Sequence, residues 1–228
     1  MIARADKGNS LVILPIRQYN TKIQNFIQAN KFHTATKHPT KHFQSQVRNC
    51  INNSNTLIPQ DTKWRYTNMN PSAPTIKDLI KINKAEHPIR PVVNWRNAPA
   101  YKLATLLTHE IRQLAPLPNT YNINNTTDLI SKLKDTPPLT HYALASLDIT
   151  KFYTNVPVKE TRNIICSKVD EIQLNPQTKH ELMGWYDVIT QPNYFSSNGE
   201  ILIQGAPTSG LLAELFLQHL EHTHTYHT

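Results

Sequence analysis

Glycine is scarce in this chain of 228 residues: there are only 5, which excludes a long flexible linker of the Gly-rich kind. Cysteine is scarcer still. Cys50 and Cys166 cannot make a disulfide framework, and they read as two free thiols in a reducing compartment. No stretch reaches the roughly 18 to 20 consecutive apolar residues of a membrane span. Met1-Ile2-Ala3-Arg4 leads straight into charged residues, with no apolar leader region. No two aspartates are adjacent anywhere, so an Asp-Asp pair that could grip metal ions is not present. What is present is a polar chain with a mean hydropathy of −0.49. It is long enough to bury a substantial core as one large domain or two small ones.

The net charge of +8 is unevenly placed. Residues 1–114 hold 17 Lys and Arg against 5 Asp and Glu, whereas residues 115–228 hold 7 against 11. A basic first half suits a phosphate backbone and an acidic second half suits metal binding. Dispersed basic residues also suit a merely solvated surface.

Hydrophobic spacing predicts the elements. Leu11-Val12-Ile13-Leu14 reads as a short buried strand closed by Pro15. A helix follows over 16–29, with Ile16, Tyr19, Ile23, Phe26 and Ile27 on one stripe. Phe43, Val47 and Ile51, spaced by four, predict a helix over about 41–52. Residues 76–82 follow a turn at Pro71 and Pro74, and 89–93 is extended because residues preceding Pro88 and Pro91 disfavour the α region. Leu103, Leu106, Leu107, Ile111 and Leu114 predict a helix over 101–114, stopped by Pro116. Helices over about 126–134, 157–172 and 177–190 follow, with a strand over 142–149 between the first two. A hairpin turning near Asn198-Gly199, a loop over 205–210 and a helix over about 211–222 complete an α+β pattern.

Two segments carry chemistry. In Ser146-Leu147-Asp148-Ile149 an apolar strand ends in a carboxylate, and Tyr153 follows five residues later. A strand-end Asp can hold Mg²⁺, which takes one or two carboxylates plus substrate phosphates. Two such metals can clamp the attacking and leaving oxygens of nucleotidyl transfer. Tyr153 would fill the space of a ribose 2′-hydroxyl. An Asp capping a turn and a Tyr in a core explain the same residues. In Gln204-Gly205-Ala206-Pro207-Thr208-Ser209-Gly210, small residues between a hairpin and a helix let backbone approach a base or nucleotide. An ordinary capping loop is the alternative.

In this order and spacing the two segments resemble motifs A and B of reverse transcriptases. The wider set resembles Penelope-like retroelement reverse transcriptases across essentially the whole chain. It comprises Ala5-Asp6-Lys7-Gly8-Asn9, Ile80-Lys81-Ile82-Asn83-Lys84, Pro88-Ile89-Arg90-Pro91-Val92-Val93-Asn94, Ala98-Pro99-Ala100-Tyr101-Lys102-Leu103-Ala104, Tyr153-Thr154-Asn155-Val156-Pro157 and Leu212-Ala213-Glu214. The resemblance implies a right-hand RNA-directed DNA polymerase, with residues 1–140 as fingers and 141–228 as a partial palm. It implies Asp148 as catalytic metal ligand for Mg²⁺ (or Mn²⁺), Tyr153 as sugar selector, and Gln204 with Gly205 on the nucleotide side. Arg90, or else Arg96, would meet the triphosphate, and Lys7, Lys81 and Lys84 would contact phosphates. The implied partners are an RNA template, a DNA primer and deoxynucleotides, with no membrane, in an intracellular setting, nuclear or cytoplasmic.

Three departures stand out. Gln204 abuts Gly205, Asn83 stands where the family often has His, and the family's paired-Asp motif, thumb and any endonuclease domain are missing from the 228 residues. The expectation is therefore little polymerase activity from this chain by itself, with the rest of the palm in a longer parent. A palm sheet without its later strands also predicts an open edge, marginal stability and self-association. A second reading is a non-catalytic nucleic-acid-binding remnant. A third, an RNA-dependent RNA polymerase palm, is disfavoured by Tyr153. His219, His222, His224 and His227 read as a polar tail before a zinc site. Trp64, Tyr66 and Trp95 read as core residues before base-stacking ones. Ser209 has no evident His and Asp partners.

Overall fold

The structure is a computed structural model, and it describes residues 1–29, 33–34, 38–114, 116–117, 122–134, 149, 156–191, 193–197, 200–204 and 210–225. Strands β1 (Ile2–Arg4) and β2 (Leu11–Ile13) form an antiparallel ribbon with Ile2 opposite Ile13 and Arg4 opposite Leu11. The turn between them is closed by the Ala5 N–H donating to the Ser10 carbonyl at 2.9 Å. It passes through the left-handed region at Gly8 (φ 78°) and Asn9 (φ 52°), two residue types that tolerate it.

A five-stranded sheet comes from β3 (His33–Thr34), β4 (Thr75–Ile80), β5 (Ile89–Asn94), β6 (Asn193–Ser197) and β7 (Glu200–Gln204), in the order β3-β7-β6-β4-β5. It is mixed: β4 and β6 are parallel through Thr75 and Ser196, and the other pairs are antiparallel. Pro91 lacks an N–H, and β5 tolerates it because β5 is the outermost strand. A parallel bridge from Ala5 to Ile80 ties the β1–β2 ribbon to β4, on the side that β5 leaves free.

The α-helices are α1 (Ile16–Ala29), α2 (Thr40–Asn53), α3 (Lys63–Tyr66), α4 (Tyr101–Leu114), α5 (Thr126–Lys134), α6 (Val158–Glu171), α7 (Pro176–Ile189) and α8 (Gly210–Thr225). The fold class is therefore α+β, as the pattern predicts. Among the described residues no helix is long and apolar enough to cross a membrane.

The chain divides into two compact units, one of residues 1–109 and 175–206, the other of residues 110–174 and 207–228. In the first, α2 packs on α7. Phe43, Val47 and Ile51 are buried, as are Leu182, Met183, Trp185 and Tyr186. Two polar pairs of this core are matched, Trp185 Nε1 donating to Ser54 Oγ at 2.6 Å and Tyr194 Oη to Thr40 Oγ1 at 2.9 Å, whereas Gln44 Oε1 is buried without a partner. In the second unit α6 packs on α8, burying Ile164, Ile165, Val169, Leu211, Leu212 and Leu215. There Glu214 accepts from Asn122 Nδ2 at 2.9 Å and Gln218 Nε2 at 3.1 Å.

Two burial expectations fail. Leu11 and Ile13 are 71% and 83% exposed, so the predicted buried strand has only Leu14 fully inside. A ribbon with one covered face buries every second residue. Here Ala3, Leu14 and Ile80 form the covered side, with Val12, Tyr19 and Ile89 packed against them. Trp64, expected in a core, is 66% exposed. Its neighbour Lys63 turns inward instead, donating from Nζ to the Asn52 carbonyl at 2.6 Å and to Asn55 Oδ1 at 2.7 Å.

Candidate nucleic-acid interface

Two basic segments remote in sequence, the turn after β1 and the β4–β5 hairpin, meet at one end of β4. Asp6 follows the bridged Ala5, and its N–H donates to the Ile80 carbonyl at 2.8 Å. The bridge is parallel, so Lys7 and Lys81 continue in the same direction from that point. On the other side of β4, Ile80 faces Ile89 and Leu79 faces Arg90 in the antiparallel register. The Lys81 N–H donates to the Pro88 carbonyl at 2.9 Å and closes the turn that carries Lys84. That turn is tied to α1 by Lys22 Nζ, which donates to the Glu86 carbonyl at 2.6 Å.

Strand alternation assigns the faces. Ile80 and Ile89 face the covered cluster, so Leu79 and Arg90 face away from it. Thr75, Lys77, Arg90, Val92 and Asn94 are all exposed on this second face, and Leu79 is half-buried. Ile2, Arg4, Leu11 and Ile13 are exposed on the adjoining ribbon. The open surface therefore carries Arg4, Lys77 and Arg90 among aliphatic side chains, with Lys7, Lys81 and Lys84 at its end. Within it Arg90 Nη1 pairs with Asp6 Oδ1 at 3.0 Å, the Arg side chain 51% exposed and the Asp side chain 4%. Arg4 Nη2 donates to Asn9 Oδ1 at 2.8 Å and braces the turn next to Lys7.

Beneath the sheet lies a carboxylate of a different kind. Asp78 is buried on the covered face, accepting from Tyr19 Oη at 3.3 Å, while its Oδ1 has no hydrogen-bond partner. Burial pushes the Asp78 carboxyl above the usual range and the Tyr19 hydrogen bond pulls it partly back. Burial, and then the nearby Asp78 charge, push the Tyr19 phenol up.

The sequence-predicted residues divide sharply. Lys7, Lys81, Lys84 and Arg90 come together. Arg96 does not: it lies in the turn beyond the end of β5 that is remote from Arg90, where its N–H donates to Asn94 Oδ1 at 3.2 Å. Gln204 ends β7 opposite Asn193. Asp148, Tyr153 and Gly205 lie outside the described residues, as does the expected strand over 142–149 save for Ile149. Among the described residues no three His, Cys, Asp or Glu side chains are grouped to hold a metal ion. His219 and His222 lie on α8, which runs on to Thr225, past the expected end at about 222. Trp64 carries the Arg65 guanidinium over its ring at 5.6 Å, and Trp95 is half-buried.

Sequence reasoning missed Asp6, Lys77 and Asp78 as individual residues. Two left a signal. In Thr75-Ile76-Lys77-Asp78-Leu79-Ile80 the alternation places Lys77 outward and Asp78 among the inward isoleucines. Asp6 stands within the Ala5-Asp6-Lys7-Gly8-Asn9 motif, but nothing in the sequence assigns it a role of its own. Set against protein-family models, curated proteins and solved structures, the chain matches none of them.

Proposed function

We propose that this chain is the fingers and first palm segment of a retroelement reverse transcriptase of the Penelope-like kind, and that it holds the phosphates of its substrates on the open face of β4 and β5. One observation carries the reading: Lys7, from the turn after β1, meets Lys81, Lys84 and Arg90 of the β4–β5 hairpin at one end of β4, against two acids, Asp6 and Glu86, in the same two turns. Dispersed surface lysines do not require such a meeting. In this reading Asp148 is the ligand for Mg²⁺ or Mn²⁺, which would neutralise charge on the transferring phosphoryl group. Tyr153 excludes the 2′-hydroxyl, and Gln204 with Gly205 lies on the nucleotide side. Phosphate contacts by Lys and Arg position the duplex without reading its sequence.

The test is binding of a fluorescent RNA–DNA hybrid, by anisotropy in about 0.1 M salt, to the wild type and to a Lys7→Ala, Lys81→Ala, Lys84→Ala triple variant. Lys7 and Lys84 are exposed and Lys81 is half-buried, so the melting temperature should hold. The expected result is a loss of affinity of about ten-fold or more, equal across hybrid sequences. Equal affinity of the two proteins would overturn the reading.

A further inference from the structure

Arg90 projects from a two-sided hairpin into solvent, and a long side chain there samples many rotamers. Asp6 removes that freedom. Its backbone is fixed by the N–H bond to the Ile80 carbonyl at 2.8 Å, and its side chain is almost wholly buried. Asp6 lies on the ribbon side of β4 and Arg90 on the β5 side, so their 3.0 Å contact reaches across the strand. A guanidinium has five N–H donors in a planar fork. Asp6 Oδ1 engages Nη1, and half of the Arg90 side chain remains in solvent with donors to spare.

We propose that Asp6 is a positioning residue for an anion site: it locks the Arg90 fork so that its free edge meets a triphosphate, flanked by Lys7 and Lys81 from the two backbones that Asp6 and Ile80 join. This inference rests on the phosphate-binding reading of the same face. It goes further in giving an acid a favourable role in binding an anion. An acid that acted only through its charge would repel the anion, so removing it should tighten binding. An acid that orients Arg90 has the opposite sign, because an unheld fork must be ordered anew on each binding event.

The experiment is calorimetric titration of inorganic tripolyphosphate into the full chain, with the RNA–DNA hybrid as a second probe. Asp6→Ala is expected to weaken tripolyphosphate binding by about 5- to 10-fold. Asp6→Asn, which keeps an acceptor oxygen, should recover to within about two-fold of wild type. In an Arg90→Ala background Asp6→Ala should add nothing further, since its effect runs through Arg90. If Asp6→Ala does not fold, Arg90→Lys carries the test: it keeps the charge and loses the fork, and should weaken tripolyphosphate binding several-fold. Tighter or unchanged binding by Asp6→Ala, an Asp6→Ala effect that persists without Arg90, or unchanged binding by Arg90→Lys would each overturn the proposal while leaving the hybrid-binding reading in place. A wild type that binds hybrid and not tripolyphosphate overturns the triphosphate assignment. A wild type that binds neither overturns the reading beneath it as well.

Discussion

Glu181 shows how much one side chain can hold. It is buried on α7, and it accepts from the backbone N–H groups of Asn55 at 2.9 Å, Thr56 at 3.0 Å and Leu57 at 2.9 Å, and from Gln177 Nε2 at 3.3 Å. Burial alone would raise its pKa, but the donors led by Leu57 and Thr56 outweigh burial and hold the carboxyl below the usual range. The sign follows. A folded-state pKa below the unfolded one gives stability that is full above the ordinary value of about 4.3 and fades as pH falls through the lower folded value. Glu181→Gln should therefore cost about 1 to 3 kcal/mol in urea denaturation at neutral pH. The gap to wild type should close in acid; a gap undiminished at about pH 2 would contradict the assignment. The sequence places Glu181 on a helix correctly but cannot show this role, because its backbone partners are more than a hundred residues away. Cys50 is a second case. Burial first, then the charges of Asp187 and Glu181, push its thiol up to about 11. Alkylation of Cys50 at about pH 8 should be slow in the native protein and rapid once urea unfolds it. Fast native modification would show that the thiol is not shielded.

At the scale of elements, the helices over 16–29, 101–114 and 126–134 were legible to their ends. Pro15 and Pro116 punctuate the first two. The third opens with Asn125 Oδ1 accepting from the Asp128 N–H at 2.9 Å while Asp128 Oδ2 accepts from the Asn124 N–H at 3.0 Å. The pairing of β6 with β7 was also legible, from two short apolar runs with an Asn-Gly dipeptide between them in the sequence. Very short elements were not. Strand β3 has 2 residues and α3 has 4, too few for any period to register. Nor does a period say which of two faces a neighbour will cover, which is why Ile16, counted in the stripe of α1, stands exposed. The four-residue spacing of Phe43, Val47 and Ile51 was decisive because all three are buried against one packing surface. Ile51 has no solvent exposure, so Ile51→Ala should destabilise the fold by about 2 to 5 kcal/mol in urea denaturation. A loss under about 1 kcal/mol would mean that the contact of α2 with α7 is not a core contact.

On the scale of the whole molecule, the chain passes from the first unit to the second, back, and out again, so neither unit is a continuous stretch. Composition foretells a difference between halves of the sequence, and the fold uses that difference selectively. All the described strands lie in the first unit, and Lys77 and Arg90 stand on the exposed face of β4 and β5 with Lys7, Lys81 and Lys84 at its end. Charge counts alone could not reveal the gathering, since it depends on the bridge from Ala5 to Ile80 joining segments remote in sequence. The motifs in the sequence name four of these residues, Lys7, Lys81, Lys84 and Arg90, and the bridge and strand register bring them to one end of β4. The salt dependence of RNA–DNA hybrid binding tests this directly. Affinity measured across a range of salt concentrations should fall linearly on logarithmic axes. The Lys7, Lys81 and Lys84 triple alanine variant should lower the slope by about 2 to 3, one unit for each phosphate that is no longer neutralised. An unchanged slope would place the bound phosphates elsewhere on the protein and contradict the account.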